Sequence, residues 1–273
     1  MKMINDQGGV NGRKINLIQY DDAYSPPKAV EQVRKLVEGD EVLLTFQLLG
    51  TASNAAVQKY LNAKKVPQLF AATGAVEVHR PEEFSVDDGL QPNYFVEGRI
   101  YGQYILKNHP NAKIGILYQN DDLGKDYLNG HARPASATRP RRWSWPKPPT
   151  KSPTRPSIRR SSRSRTPART CSSAPSTPEA GGAGDPARSH ELDWKPVHIL
   201  DINATSVGAV MKPAGLEASK GVISVSYGKD PLDPTWKDDP GMKQYFEFMA
   251  KYYPERRQGL ELQLLRLLDH RSC

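Results

Sequence analysis

Apolar and polar positions along the chain fall into short runs of two periods. Lys14–Asp21 (KINLIQYD) alternates apolar and polar residues, which predicts a half-buried strand. Ser25-Pro26-Pro27 then opens a predicted helix; Val30, Val33 and Val37 share one face, and Gly39 ends it. The stretch Val42–Thr73 carries a complete unit. VLLTF reads as a strand, QLLGTASN as a turn, AAVQKYLNAKK as a helix and VPQLFAAT as a second apolar strand. Strand, loop, helix and strand make the unit of a parallel sheet with its crossover helix. Further on, Glu97–Asn108 predicts a helix with Ile100, Tyr101, Tyr104 and Ile105 inward. Lys113–Gln119 (KIGILYQ) predicts a strand and Asn120–Tyr127 another helix start. The fold class is α/β, with a doubly wound parallel lobe. In such sheets small ligands sit beyond the carboxyl ends of the strands, here Gln47–Ser53 and Ala71–Thr73.

The pattern stops at about His131 and resumes at Glu191. Between them neither period is present, and the Arg, Ser and Pro of the block cannot bury a core. Afterwards Val197–Asp201 and Gly221–Tyr227 predict strands, Gly208–Leu216 a loop or short helix, and Met242–Tyr253 an aromatic-rich amphipathic helix. Composition sharpens the contrast. The net charge of the whole chain is +8, yet residues 131–190 hold 13 Lys/Arg against 2 Asp/Glu, and the rest of the chain nets −3. The same block holds 11 of the 23 prolines. Nucleic-acid binding is therefore disfavoured for the globular parts. Such binding would depend wholly on the basic block, where Ser161–Arg165 (SSRSR) resembles serine–arginine repeats.

Two readings of that block compete: a native basic linker, or translation out of frame. If codons are reread from their last base, each first base becomes a middle base, and a middle T encodes only apolar residues. Trp143–Trp145 and Cys171–Ser173 then become apolar triplets. With permitted codons Ser136–Arg165 can be reread as GDKAAKMVVAEASYEVTDPTVDSQIVKIK, a strand, a loop and an amphipathic helix in fold order. Around Pro178–Pro186 another frame gives RKQAAQAI, and Arg256–Glu261 can be reread as GDKDSN. These coherent rereadings favour a shifted frame. The two cysteines, Cys171 and Cys273, suggest neither a metal site nor a disulfide framework. No run predicts a membrane span, and no secretory signal precedes Met1.

The stretches INDQGGVNGRKINLIQYDD, QLLGTASNAAVQKYLNAKKVPQLFAATGA, QPNYFVEGRIYGQYILK, KIGILYQNDDLGKDY and ELDWKPVHILDINATSVGAVMKPAGLEASKG cover Met3–Gly130 and Glu191–Glu255. Together they resemble substrate-binding proteins of the branched-chain amino acid type from bacterial ABC transporters. The resemblance implies a two-lobed type I periplasmic-binding-protein fold with doubly wound parallel sheets, closing on a small solute. It divides the chain into residues 1–119 as a first lobe, 120–130 as the start of the second, and 191–255 as its remnant. Residues 131–190 and 256–273 are aberrant, so the second lobe is disrupted. It also implies a secretory signal, a first strand and a first helix ahead of the INDQGG turn, none of which precedes that turn here; truncation at an internal Met is the expectation.

For the site, the resemblance implies that Gly50 and Thr51 hold the ligand carboxylate, while Ala71, Ala72 and Thr73 supply backbone and hydroxyl contacts. Leu123 stands where the family usually has an aromatic covering the ligand. Asn203 lies near the position that contacts the ligand's amino group, and no acid is evident there. The implied partners are an amino acid or small carboxylate and the membrane permease, the implied location is the periplasm, and no cofactor or metal is expected.

Simpler roles compete at each position. Thr51 and Ser53 could serve only as helix N-caps, and Thr73 could merely satisfy a strand end. Asp121 and Asp122 suit the first turn of a helix better than acid–base chemistry. The six histidines lack metal-ligand spacing. Tyr245, Phe246, Phe248 and Tyr252 fit a core face, and Tyr118 fits strand-end packing. No phosphate loop or nucleophile–base pair argues for an enzyme. The expectation is a non-catalytic solute-binding component of an importer, with folding and binding impaired by the altered segments. The alternatives are an inactive product of a decayed gene and a basic RNA-binding linker protein.

Overall fold

The computed structural model describes residues 1–132, 169–174, 190–191, 193, 195–231 and 233–254. The chain divides into two compact units. One comprises Met1–Gln19, Thr177–Lys195 and Leu200–Cys273; the other comprises Tyr20–Ser176 and Pro196–Ile199.

The first unit opens with helix α1 (Lys2–Asp6). Lys14–Asp21 forms no strand: within the unit its start is held by Asn5, whose side chain bonds both the amide and the carbonyl of Ile15 at 2.7 and 2.8 Å. Without a strand alongside it, alternation alone does not make a ladder. The core of this unit gathers Met242, Tyr245 and Met249 on the helix Pro240–Tyr252, with Trp236, Phe246, Phe248 and Tyr253 packed around them. Tyr252 meets Phe248 with ring centroids 5.1 Å apart. Of the predicted core face Tyr245 is buried and Phe246 and Phe248 pack against the cluster, while Met242 and Met249, outside that prediction, complete it. A second cluster joins Leu200, Ala204 and Val210. Gly221–Tyr227 does not form the expected strand. What remains is the bond from the Leu200 amide to the Ile223 carbonyl (2.9 Å) and that from the Ser224 hydroxyl to the Leu200 carbonyl (2.7 Å). Gly208–Leu216 becomes a π turn, Val207–Met211, running into the short helix Lys212–Ala214.

The second unit holds two three-stranded sheets. Helix α2 (Pro26–Arg34) has its prolines in the first turn, where an absent N–H costs nothing, and runs into a π turn at Lys35–Gly39. The first sheet is parallel, ordered β1 (Thr45–Phe46), β2 (Gln68–Ala71), β3 (Asp87–Gly89). Only two residues of the VLLTF run pair as a regular strand, and Leu43 is 85% exposed. Pairing nevertheless continues past β1, through a parallel bridge from Leu49 to Ala72. Helix α3 (Thr51–Lys64) connects β1 to β2 and packs on α2 through Ala29, Val33, Val57 and Leu61, with Val30 and Val37 completing the predicted face.

Helix α4 (Tyr94–Asn108) is capped by Asn93, whose side chain accepts from the Phe95 and Val96 amides. It buries Tyr101 and Ile105 as expected, but Ile100 and Tyr104 are 48% and 37% exposed. Strand β4 (Lys113–Tyr118) leads to helix α5 (Asp122–Ala132). The second sheet is ordered β4, β5 (Arg169–Ala174), β6 (Val197–Leu200). Strand β5 lies inside the block without strand period, yet its six residues pair with β4 in parallel, from Lys113 with Arg169 to Tyr118 with Ala174.

Candidate ligand cradle at the start of helix α3

The turn between β1 and α3 is fixed by one side chain. Asn54 donates through Nδ2 to the carbonyls of Leu48 (2.9 Å) and Gly50 (2.7 Å), and its Oδ1 accepts from Gln68 on β2. Gly50 takes the N-cap position at φ 98°, a region that side chains disfavour. Its amide donates to the Ala72 carbonyl. Neither Thr51 nor Ser53 caps the helix, because Gly50 holds that position and both hydroxyls are directed elsewhere. Thr51 Oγ1 and Thr73 Oγ1 lie 2.7 Å apart, both buried, and the Ser53 hydroxyl donates to Asp22 Oδ2 at 3.1 Å. Thr73 Oγ1 also accepts from the Ala75 amide at 3.2 Å.

The structure therefore brings Gly50, Thr51, Ala71, Ala72 and Thr73 together at the carboxyl ends of β1 and β2. Backbone groups of the two alanines are engaged locally. The Ala71 carbonyl accepts from Thr73 and Leu90, and the Ala72 amide donates to Leu48. What the cradle offers is two hydroxyls beside the first-turn N–H groups of a 14-residue helix, which have no partner within the helix. With the helix dipole, that arrangement favours an anionic group.

Leu123 is buried on α5. This helix is preceded by Asp121, whose Oδ1 accepts from the Gly124 amide (3.2 Å), and it reaches the segment after Thr73 through Asp126, which accepts from the Val76 amide (2.9 Å). Burial pushes both carboxyls above the ordinary range, while these amides pull the other way. Asp122 thus sits in the first turn of a helix, as the dipole reading expected, and Asp121 stands one residue ahead of it. Asn203 belongs to the other unit. It lies in a 3-10 turn (Ile202–Ala204), where its amide and side chain both donate to Asp201 Oδ1 at 2.9 Å. Asp201, a buried acid at the end of β6, is a residue the sequence reading passed over. So is Tyr24, whose ring lies against Gly50. Asp before a turn was the available signal in both cases.

A parallel sheet with a hydroxyl-lined helix N-terminus at its carboxyl edge defines a ligand-binding class of α/β protein. The chain belongs to the periplasmic binding protein family, whose sequence model matches residues 1–146. An amino acid binding protein of Pseudomonas aeruginosa is 25% identical over 134 residues, 45% of this chain; the chain spans about a third of that relative, 32% of its length. Two solved structures share the type I fold at low identity. An extracellular ligand-binding receptor from Verminephrobacter eiseniae superposes with a TM-score of 0.74 at 16% identity, over 99% of this chain and 74% of that one. A branched-chain amino acid ABC transporter protein from Thermus thermophilus with bound valine gives 0.73 at 14% identity, over 98% and 69%. The family is one of substrate-binding proteins and not an enzyme class. Among the described residues no helix is long and apolar enough to cross a membrane.

Proposed function

We propose that the chain is the solute-binding component of an ABC importer in the periplasm, capturing a branched-chain amino acid or related small carboxylate for a membrane permease. The observation that carries this reading is the buried Thr51–Thr73 hydroxyl pair at the N-terminus of α3. One face of that pair can donate to a carboxylate that the helix dipole already favours. Gly50 leaves room for the Tyr24 ring beside the cradle, Ala71 and Ala72 keep the strand ends small, and Leu123 supplies an apolar neighbour. The family membership and the valine-bound neighbour support the ligand class. Thermal-shift screening of L-amino acids and aromatic acids tests the reading. A stabilising shift from one class, lost in Thr73→Val, is expected; no shift from any compound at millimolar concentration would overturn it.

A further inference from the structure

The loop ahead of α2 is sewn to the first turn of α3. Asp22 uses both carboxylate oxygens: Oδ1 accepts from the Tyr24 amide (2.9 Å) and Oδ2 from the Ser53 hydroxyl (3.1 Å). Asp21 Oδ1 accepts from the Ala23 amide at 2.8 Å. These bonds hold Ala23 and Tyr24 consecutively in the left-handed region, at φ 49° and 55°, where non-glycine residues are uncommon. The outcome is the position of the Tyr24 ring. A methyl group built on Gly50 would stand 2.6 Å from Tyr24 Cε2 and 3.3 Å from its hydroxyl oxygen. The hydroxyl feels Gln119 and the charge of Asp121, both in the turn before α5. Burial and the Asp121 charge raise its pKa, and Gln119 opposes them. One aromatic ring thus spans from the cradle to the turn that starts α5.

We propose that Tyr24 is the wall of the Gly50–Thr51 cradle and sets the size of the side chain accepted beside the ligand's carboxylate. The inference rests on the solute-binding reading. A ring laid against Gly50 by the bonds that Asp21 and Asp22 make presents a fixed flat face, and tyrosine does so with few rotors to order. Widening a binding pocket by several carbons changes discrimination between ligands by roughly 10- to 100-fold.

The test is calorimetric titration of the full chain with L-alanine, L-valine, L-leucine and L-phenylalanine, for wild type, Tyr24→Phe and Tyr24→Ala. Tyr24→Phe keeps the wild-type ranking. Tyr24→Ala shifts the phenylalanine-to-valine affinity ratio by at least about tenfold toward the larger ligand. If Tyr24→Ala fails to fold, Tyr24→Leu, of closer volume, takes its place. An unchanged ranking in the truncated variant, with Thr73→Val still abolishing binding, overturns the wall but leaves the solute-binding reading standing. No binding of any of the four by wild type overturns both.

Discussion

Replacing Thr51 with Val leaves the Thr73 hydroxyl buried with its partner gone, although Thr73 still accepts from Ala75. Thr73→Val removes both bonds. Each single change is expected to lower stability by about 1–3 kcal/mol, with Thr73→Val the larger. The double variant should cost less than the two added, since the pair is shared; urea unfolding measures all three. A second residue-scale effect concerns His131, which is buried with Nδ1 2.7 Å from the Tyr127 carbonyl and whose pKa burial pushes below 6.5. Folded, it stays neutral; unfolded, it takes a proton below that value. Its contribution is complete above about pH 6.5 and is lost as pH falls from there toward the depressed folded pKa. Asp87, Asp121 and Asp126, raised by burial, act with the opposite sign: their contribution is present below 3.8 and lost as pH rises through their folded pKa. The two effects oppose each other, so the test is a difference: between pH 7 and 5 the melting temperature of His131→Gln should fall less, or rise more, than that of the wild type. Thr51 and Thr73 were legible because strand ends and a Gly-Thr turn are local. Tyr24 was not, since its place depends on left-handed backbone and on Ser53, 31 residues beyond Asp22.

At the scale of elements, the contact between α4 and α5 rests on glycine. A methyl group on Gly98 would stand 2.6 Å from the Tyr127 carbonyl oxygen, and one on Gly130 would stand 2.3 Å from that of Phe95. Glu97 lies in the same contact and accepts from the Tyr101 and Tyr127 hydroxyls, each at 2.7 Å. Gly98→Ala and Gly130→Ala should each destabilise by roughly 1–3 kcal/mol despite alanine's better helix propensity. Gly115→Ala, with nothing within 4 Å of its added methyl group, should be close to neutral. Thermal unfolding of the three variants decides. The same contact explains why the inward face of α4 was misjudged. Apolar spacing put Ile100 and Tyr104 inside, but glycines carry no hydrophobic signal, and the helix turns Gly98, Tyr101, Gly102 and Ile105 inward instead. Strand alternation likewise failed at Lys14–Asp21 and Gly221–Tyr227, where pairing partners, not pattern, decide whether a strand forms. The helices α2 and α3 and the parallel pairing of β1 with β2 were readable because tertiary packing there agrees with local period.

At the scale of the molecule, strand β5 bears on the reading frame. Its Arg-Thr-Cys-Ser-Ser-Ala sequence has no strand period, yet it pairs with β4 and contains Cys171–Ser173, an apolar triplet in the shifted frame. Parallel strands covered on both faces are ordinarily apolar, and the shifted frame would supply such a run at β5. Resequencing the encoding DNA across Gly130–Glu191 should then find single-base insertions or deletions; an unchanged sequence with no coding remnants in other frames would favour the basic linker. Whether the α3 cradle binds a small carboxylate is tested most directly by calorimetric titration of the full chain with L-valine and L-leucine. Weak but saturable one-to-one binding is expected, with Kd between about 10 μM and 1 mM, and its loss in Thr51→Val/Thr73→Val. Absence of saturable heat, or the same isotherm in the double variant, would contradict it.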